Sequence, residues 1–305
     1  MTKKDKPGTK RKLKVEITPL IKKIEALTKR LVRSMTLGEY MSIFRGAGFE
    51  FDGYKAYTPD MDASTIDWKA SIRSKSTLVK IYREIKDLQV YFMLDISGSM
   101  LFGSTDKLKI EYALEFMLAI IYTIISAGDA VGLITFSDNV IHRFRAAKGN
   151  RQFYKFVKIL LDPTIYGGGY NLANAEEFAL NFIPRKNSLV IIISDFYGLN
   201  STQWKRKLQL MTAKFDTVCI VIRDPRDRVL PEGVGNVMVE DPYTGERLLI
   251  DSDLLRKRYE AFTKKQDKEL FKDLTDAGVD IVEVGTDKPL FASLVNFFVK
   301  RKGTI

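Results

Sequence analysis

From residue 89 onward, apolar runs rich in valine and isoleucine alternate with stretches of helical periodicity, and this alternation restricts the possible folds most severely. Strands are predicted at 89–95, 130–136, 140–145, 188–194, 216–222 and 279–284, and helices at about 107–127, 150–161, 171–183, 201–213, 253–277 and 288–300. Such a rhythm specifies an α/β domain with a mostly parallel sheet covered by helices on both faces. Only Ser137-Asp138-Asn139 separates the second strand from the third. That is too short for a crossover, so this pair is expected to form an antiparallel hairpin at one edge. In the doubly wound order 3-2-1-4-5-6, the first and fourth strands are neighbours at the topological switch point, where open α/β sheets bind ligands.

Both of those strands end in carboxylates. The run Val90-Tyr91-Phe92-Met93-Leu94 leads into Asp95-Ile96-Ser97-Gly98-Ser99-Met100, and the run Leu189–Ile193 leads into Ser194-Asp195. A carboxylate and two hydroxyls on one loop, facing a second carboxylate, form a set of hard oxygen donors suited to a divalent cation. Taken alone, the first motif also reads as a strand-to-helix turn in which Asp95 and Ser97 cap the following helix.

The pattern Asp-x-Ser-x-Ser after a buried strand, with a later strand ending in aspartate, resembles the metal-ion-dependent adhesion site of von Willebrand factor A (vWA) domains. The resemblance implies a Mg2+ or Mn2+ ion held by Asp95, Ser97, Ser99 and Asp195. It also implies an open coordination position that a partner's carboxylate fills, which makes the site a device for binding and not for turnover. A threonine from a distant loop completes the set in that family. Here Gly168-Gly169-Tyr170-Asn171-Leu172 places Tyr170 where the threonine is expected, leaving Tyr170 itself, Asn171, Thr164 or water to take its place. Gly167-Gly168-Gly169 also reads as a plain flexible turn. A phosphate cradle is a weak alternative, because no P-loop spacing or lysine follows.

A second set of motifs narrows the family. Gly48-Phe49-Glu50-Phe51-Asp52-Gly53-Tyr54, Ile66-Asp67-Trp68-Lys69-Ala70-Ser71 and Val79-Lys80-Ile81-Tyr82-Arg83-Glu84 lead into the Asp95 motif, and Arg223-Asp224-Pro225 and Asp241-Pro242 follow it. Over roughly residues 44–300 the chain resembles the domain-of-unknown-function fifty-eight family. Members of that family are commonly associated with MoxR-type AAA+ ATPases. The resemblance therefore implies a chaperone adaptor for such an ATPase, which would supply the energy. No Walker lysine motif occurs here, and the membrane-spanning helices of many relatives are missing from the sequence.

The implied organisation is a basic disordered tail at 1–14, an N-terminal helical segment at 15–43, a small β-containing subdomain at 44–87 and the vWA-like domain at 88–302. The segment 236–250 reads as an inserted hairpin. The helix rests on Thr18-Pro19 as its start and on Leu20, Ile21, Ile24, Leu27, Leu31, Val32 and Met35 at helical spacing. Residues 44–87 read as short strands and turns, with Trp68 as a packing anchor.

Composition excludes several alternatives. Cys219, the only cysteine, lies in an apolar run, and His142, the only histidine, lies in the predicted edge strand. Neither a disulfide framework nor a cysteine or multi-histidine metal site is available. The net charge of +11 is concentrated at the ends, with twelve Lys or Arg against three acids in residues 1–33 and Lys300-Arg301-Lys302 near the C-terminus. The body between is close to neutral. The basic ends read as solvated tails, with RNA or anionic lipid as alternative partners. No apolar leader follows Met1, and the longest apolar stretch, Phe116 to Gly128, suits a buried helix better than a membrane span. A cytoplasmic location is expected. Asn200-Ser201-Thr202 matches a glycosylation acceptor formally and is read as a helix start. The competing enzymatic reading makes Asp95 the nucleophile of a magnesium-dependent phosphotransferase, with Asp195 as metal ligand. That chemistry commonly wants a second carboxylate two residues on as acid–base, where Ser97 stands.

Overall fold

The computed structural model describes residues 49–59, 61–84, 88–184, 188–199 and 202–303. The basic tail at 1–14 and the helical segment at 15–43 lie outside these residues.

The described chain opens with β1 (Phe49–Ala56), α1 (Trp68–Ser74) and β2 (Leu78–Glu84), the two strands forming an antiparallel pair. The sequence reading of strands and turns is corrected at α1. Asp67 accepts hydrogen bonds from the Lys69 and Ala70 N–H groups and so caps a two-turn helix. Helix geometry then turns Trp68 outward, 66% exposed, so it is not the packing anchor that its size implied. Ser71 donates to Asp67 O at 2.7 Å and accepts from Leu78 N at 2.8 Å, tying the helix to the strand.

The central sheet follows. β3 (Gln89–Asp95), α2 (Lys109–Ser126), β4 (Ala130–Phe136), β5 (Val140–Ala147), α3 (Asn150–Leu160), α4 (Leu172–Phe182), β6 (Ser188–Ser194), α5 (Gln203–Lys214) and β7 (Asp216–Arg223) alternate as the sequence predicts. The hairpin β8 (Asn236–Glu240) and β9 (Arg247–Asp251), helix α6 (Ser252–Asp276), β10 (Asp280–Gly285) and α7 (Leu290–Gly303) complete the fold. Among the described residues the sheet order is β10-β7-β6-β3-β4-β5, parallel throughout except for β5 against β4. This is the doubly wound order, so β3 and β6 are neighbours at the switch point.

Burial explains why the strands were readable. β4 and β6 are buried along their whole length, because helices cover both faces of a parallel sheet. β5 alternates between intermediate and exposed positions, as an edge strand does. Strand pleating sends Val90, Phe92 and Leu94 into one core with Phe116, Ile120, Phe153 and Phe297 of α2, α3 and α7. Tyr91 and Met93 point into the other, with Ala175, Leu208, Met211 and Leu274 of α4, α5 and α6. One position in β4 must be glycine, since a Cβ on Gly132 would collide with the Tyr91 ring. That ring passes over β4 and accepts the Ala146 N–H of β5 on its hydroxyl at 3.2 Å.

Candidate metal centre

The C-terminal ends of β3 and β6 deliver Asp95 and Asp195 to one rim, both with no exposed surface. The loop after β3 folds back at once: the Ser97 N–H donates to Asp95 Oδ1 at 2.8 Å, and a short 3₁₀ turn follows at Gly98–Leu101. Ser97 and Ser99 hydroxyl oxygens stand 3.3 Å apart, and Ser99 donates to Asp195 Oδ1 at 3.1 Å. The four residues predicted from sequence are thereby brought into one hydrogen-bonded cluster.

Ser194 joins them. Its hydroxyl donates to Asp95 Oδ2 at 2.6 Å and accepts the Phe196 N–H at 2.8 Å. Asp195 Oδ1 also accepts the Tyr197 N–H, at 3.0 Å. These turns force Phe196 into the left-handed region at φ 55°, a conformation costing a non-glycine residue of order 1 kcal/mol. The strain sits at the residue that follows the aspartate being aimed.

The third loop, Tyr166–Asn171, closes the rim through Gly98 N–H to Gly168 O at 3.0 Å and Gly167 N–H to Ile96 O at 2.8 Å. Tyr170 turns its hydroxyl inward to within 3.2 Å of Ser194 Oγ, and its ring packs near Phe136 with centroids 6.1 Å apart. Burial, and then the charge of Asp95, push its phenol upward. The other two candidates for the missing ligand are placed away from the cluster. Asn171 is exposed and caps α4 by accepting the Asn174 N–H at 3.0 Å, and Thr164 is exposed and donates to Asp162 at 2.7 Å.

Sequence reasoning missed a cation. Lys109, at the first position of α2 and 1% exposed, places its ammonium 2.6 Å from Asp195 Oδ2 and 3.2 Å from Asp227 Oδ1. Burial works against its charge, yet Asp195 and Asp227 outweigh that and the net direction is upward. Asp227 is itself anchored by accepting the Asp224 N–H at 2.8 Å. The available signal was a lysine opening a largely apolar helix. Asp195 is thus paired with a cation on one oxygen, whereas Asp95 has no cation among its hydrogen-bond partners in the described residues. Burial and the facing Asp195 push the Asp95 carboxyl up to about 7.

A hard divalent cation fits this donor set: two carboxylates and the Ser97 and Ser99 hydroxyls converge on one rim. Among the described residues, no group of three or more His, Cys, Asp or Glu could hold a metal, so hydroxyls and water would have to supply part of the shell.

A channel beside the centre runs along the loop after β6. It is lined by Phe196, Tyr197, Leu199, Trp204, Arg223 and Asp267. Arg223 spans it, donating to Asp195 O and pairing with Asp267 at 2.9 Å, with its guanidinium 4.7 Å from the Tyr197 ring centroid. No described helix is long and apolar enough to cross a membrane.

Comparison with known proteins bears on the family and the fold. An uncharacterized protein of Mycobacterium tuberculosis is 23% identical over 291 residues, covering 94% of this chain and 90% of its own. A second, from Mycobacterium avium, is 30% identical over 134 residues, covering 43% of this chain and 76% of its own. Among solved structures, BatB from Bacteroides thetaiotaomicron superposes with a TM-score of 0.50 at 15% identity, covering 72% of this chain and all of that one. The vWA domain described as SpRpn10 gives 0.44 at 14% identity, over 69% of this chain and 95% of that one. The family model described as protein of unknown function DUF58 matches residues 53–269, most of the chain. This protein belongs to the DUF58 family, on a doubly wound α/β fold.

Proposed function

We propose that this chain is a non-catalytic docking module that binds a carboxylate-bearing protein through a Mg2+ or Mn2+ centre held by Asp95, Ser97, Ser99 and Asp195. The partner proposed is a MoxR-type AAA+ ATPase, which the chain serves as adaptor or co-chaperone. The vWA-type fold and the family carry the general reading of a protein-interaction module, and the family resemblance carries the choice of partner.

The observation behind the centre is the convergence of two fully buried carboxylates and two hydroxyls at the switch point of the sheet. A bound divalent cation would supply a positive centre with one coordination position left for a partner's carboxylate. The protein's own share is positional. The Ser97 N–H and the Ser194 hydroxyl hold the two oxygens of Asp95, while Tyr197, Ser99 and Lys109 hold Asp195.

Titration calorimetry of the full chain with Mg2+ and Mn2+ tests the centre. Saturable binding that falls at least about tenfold in Ser99→Ala is expected, since a ligating hydroxyl is lost. Heats no larger than dilution for both cations would remove the centre from consideration.

A further inference from the structure

The hairpin β8–β9 does not lie idle on the surface. Its turn, Asp241–Glu246, reaches across the rim and touches both loops that carry the candidate centre. A Cβ on Gly98, between Ser97 and Ser99, would stand 2.5 Å from Pro242 O, and one on Gly198 would stand 2.9 Å from the Tyr243 ring. Gly98 has no positive φ to explain its lack of a side chain, so the seat for Pro242 is its most immediate requirement. The Tyr243 hydroxyl donates to Tyr197 O at 2.8 Å and faces the Ser99 and Ser97 hydroxyls.

The turn is built to hold this shape by itself. Asp241 accepts the N–H groups of Tyr243 at 2.7 Å and Thr244 at 3.1 Å, and Gly245 N–H donates to Asp241 O at 2.9 Å. The stems, in contrast, are held by little. Met238 is 60% exposed, Leu248 64% and Leu249 59%. At the base, Gly233 and Gly235 adopt φ of 71° and 63°, and their N–H groups hang on the Asp253 carboxylate. A preformed tip, loosely packed stems and a glycine base describe a rigid arm on a hinge. The tip is fixed by the seating of Pro242 and Tyr243 on the rim, and the base by Asp253 and by the Ser252 N–H donating to Gly235 O at 2.9 Å.

We infer that the β8–β9 hairpin is a lid on the candidate metal centre, closed in this structure, with Pro242 and Tyr243 covering the Ser97 and Ser99 face that a partner's carboxylate must reach. Docking then requires the tip to lift. This inference rests on the metal-centre reading above, and it adds that the centre is intrasterically regulated. The lid sets the apparent affinity for a partner, because only the open fraction is competent to bind.

Mn2+ is the probe that separates the two ideas, because calorimetry reports whether it binds and water-proton relaxation reports how many exchanging waters reach it. Both are measured on the full chain, in wild type, Tyr243→Phe and Tyr243→Ala. The lid predicts that relaxation enhancement per bound Mn2+ rises about twofold or more in Tyr243→Ala, less in Tyr243→Phe, while Kd changes by under about threefold. A variant replacing residues 237–250 by two glycines is the second route. Asn236 and Asp251 are register partners, so a short link joins them, and the same rise is expected. Equal enhancement in wild type and all variants, with Mn2+ bound in each, overturns the lid and leaves the centre standing. A Kd weakened tenfold or more in Tyr243→Ala makes the phenol a ligand and overturns the lid too. Absence of Mn2+ binding in every protein overturns the centre and the lid with it.

Discussion

Lys109 and Asp195 form a buried ion pair with Nζ 2.6 Å from Oδ2, while the other carboxylate oxygen of Asp195 takes the Ser99 hydroxyl at 3.1 Å. The aspartate is therefore shared between an internal cation and the hydroxyls of the candidate centre. Lys109 also lies 5.1 Å from the Tyr197 ring centroid and 5.6 Å from that of Phe102, so its charge is enclosed by aromatic faces as well as carboxylates. Lys109→Met removes the cation and leaves Asp195 and Asp227 buried without it. Breaking such a pair costs roughly 3–5 kcal/mol, a large share of a domain's stability. The loss should be smaller in millimolar Mg2+ if the centre binds it, since a divalent ion restores the missing charge. Thermal melting of wild type and Lys109→Met, each with Mg2+ and with chelator, checks both expectations. An equal Mg2+ effect on the two proteins would separate Lys109 from the centre.

Glu176 gives a pH prediction independent of the metal. It lies on α4 with no exposed surface, neither side-chain oxygen finds a hydrogen-bond partner among the described residues, and burial pushes its carboxyl up to about 9. With the folded pKa above the unfolded value near 4.5, the folded state keeps a proton that the unfolded state releases. Stability attributable to this group is thus full below about pH 4.5 and is lost progressively as pH rises toward 9. Glu176→Gln has no proton to lose. Its advantage over wild type should be near zero at pH 4.5 and grow to a few kcal/mol at pH 8 to 9. Urea unfolding at several pH values is the measurement, and parallel curves for the two proteins would contradict it.

Gly132 offers a packing test. Gly132→Ala drives a methyl into the Tyr91 ring, which is itself 1% exposed and cannot swing into solvent. Overpacking of this kind costs about 1–3 kcal/mol. The double variant Gly132→Ala with Tyr91→Leu should recover part of the loss, because the obstructing ring is gone. Denaturant midpoints of the single and double variants decide it, and additive losses would contradict the contact.

The parts of the structure legible in the sequence are those in which one local signal decides the answer. Strands β3, β4 and β6 have the bounds predicted for them, because a strand buried on both faces is an unbroken apolar run ended by polar loop residues. The antiparallel edge was readable because three residues cannot make a crossover. Trp68 failed because its bulk was read as burial, whereas its place was decided by Asp67 capping a helix beside it. Asp95, Ser97, Ser99 and Asp195 were visible at the ends of two apolar runs and in the loop after the first, and the structure gathers them. Lys109, Asp227 and Tyr243 reach the same rim from a helix, a loop and a hairpin distant in the chain. No spacing rule links them to Asp195, since only the packing of those elements brings them together.

The last prediction concerns the partner. If docking passes through a cation on Asp95, Ser97, Ser99 and Asp195, a purified MoxR-type AAA+ ATPase should bind the wild-type chain in Mg2+ and bind at least about tenfold more weakly in chelator, the scale of one lost charge-assisted contact. Asp95→Ala should match the chelator result. Asp95 is also a buried hydrogen-bonded group, so the variant's melting and far-ultraviolet circular dichroism must first show a folded chain. Tyr243→Ala provides the opposite sign. If the lid holds the site closed, removing its seat should tighten binding in Mg2+ and change nothing in chelator. The pairing of these two variants matters, because general destabilisation would weaken both and only a regulated centre moves them in opposite directions. Equal binding of wild type in Mg2+ and in chelator would place the interface elsewhere on the fold.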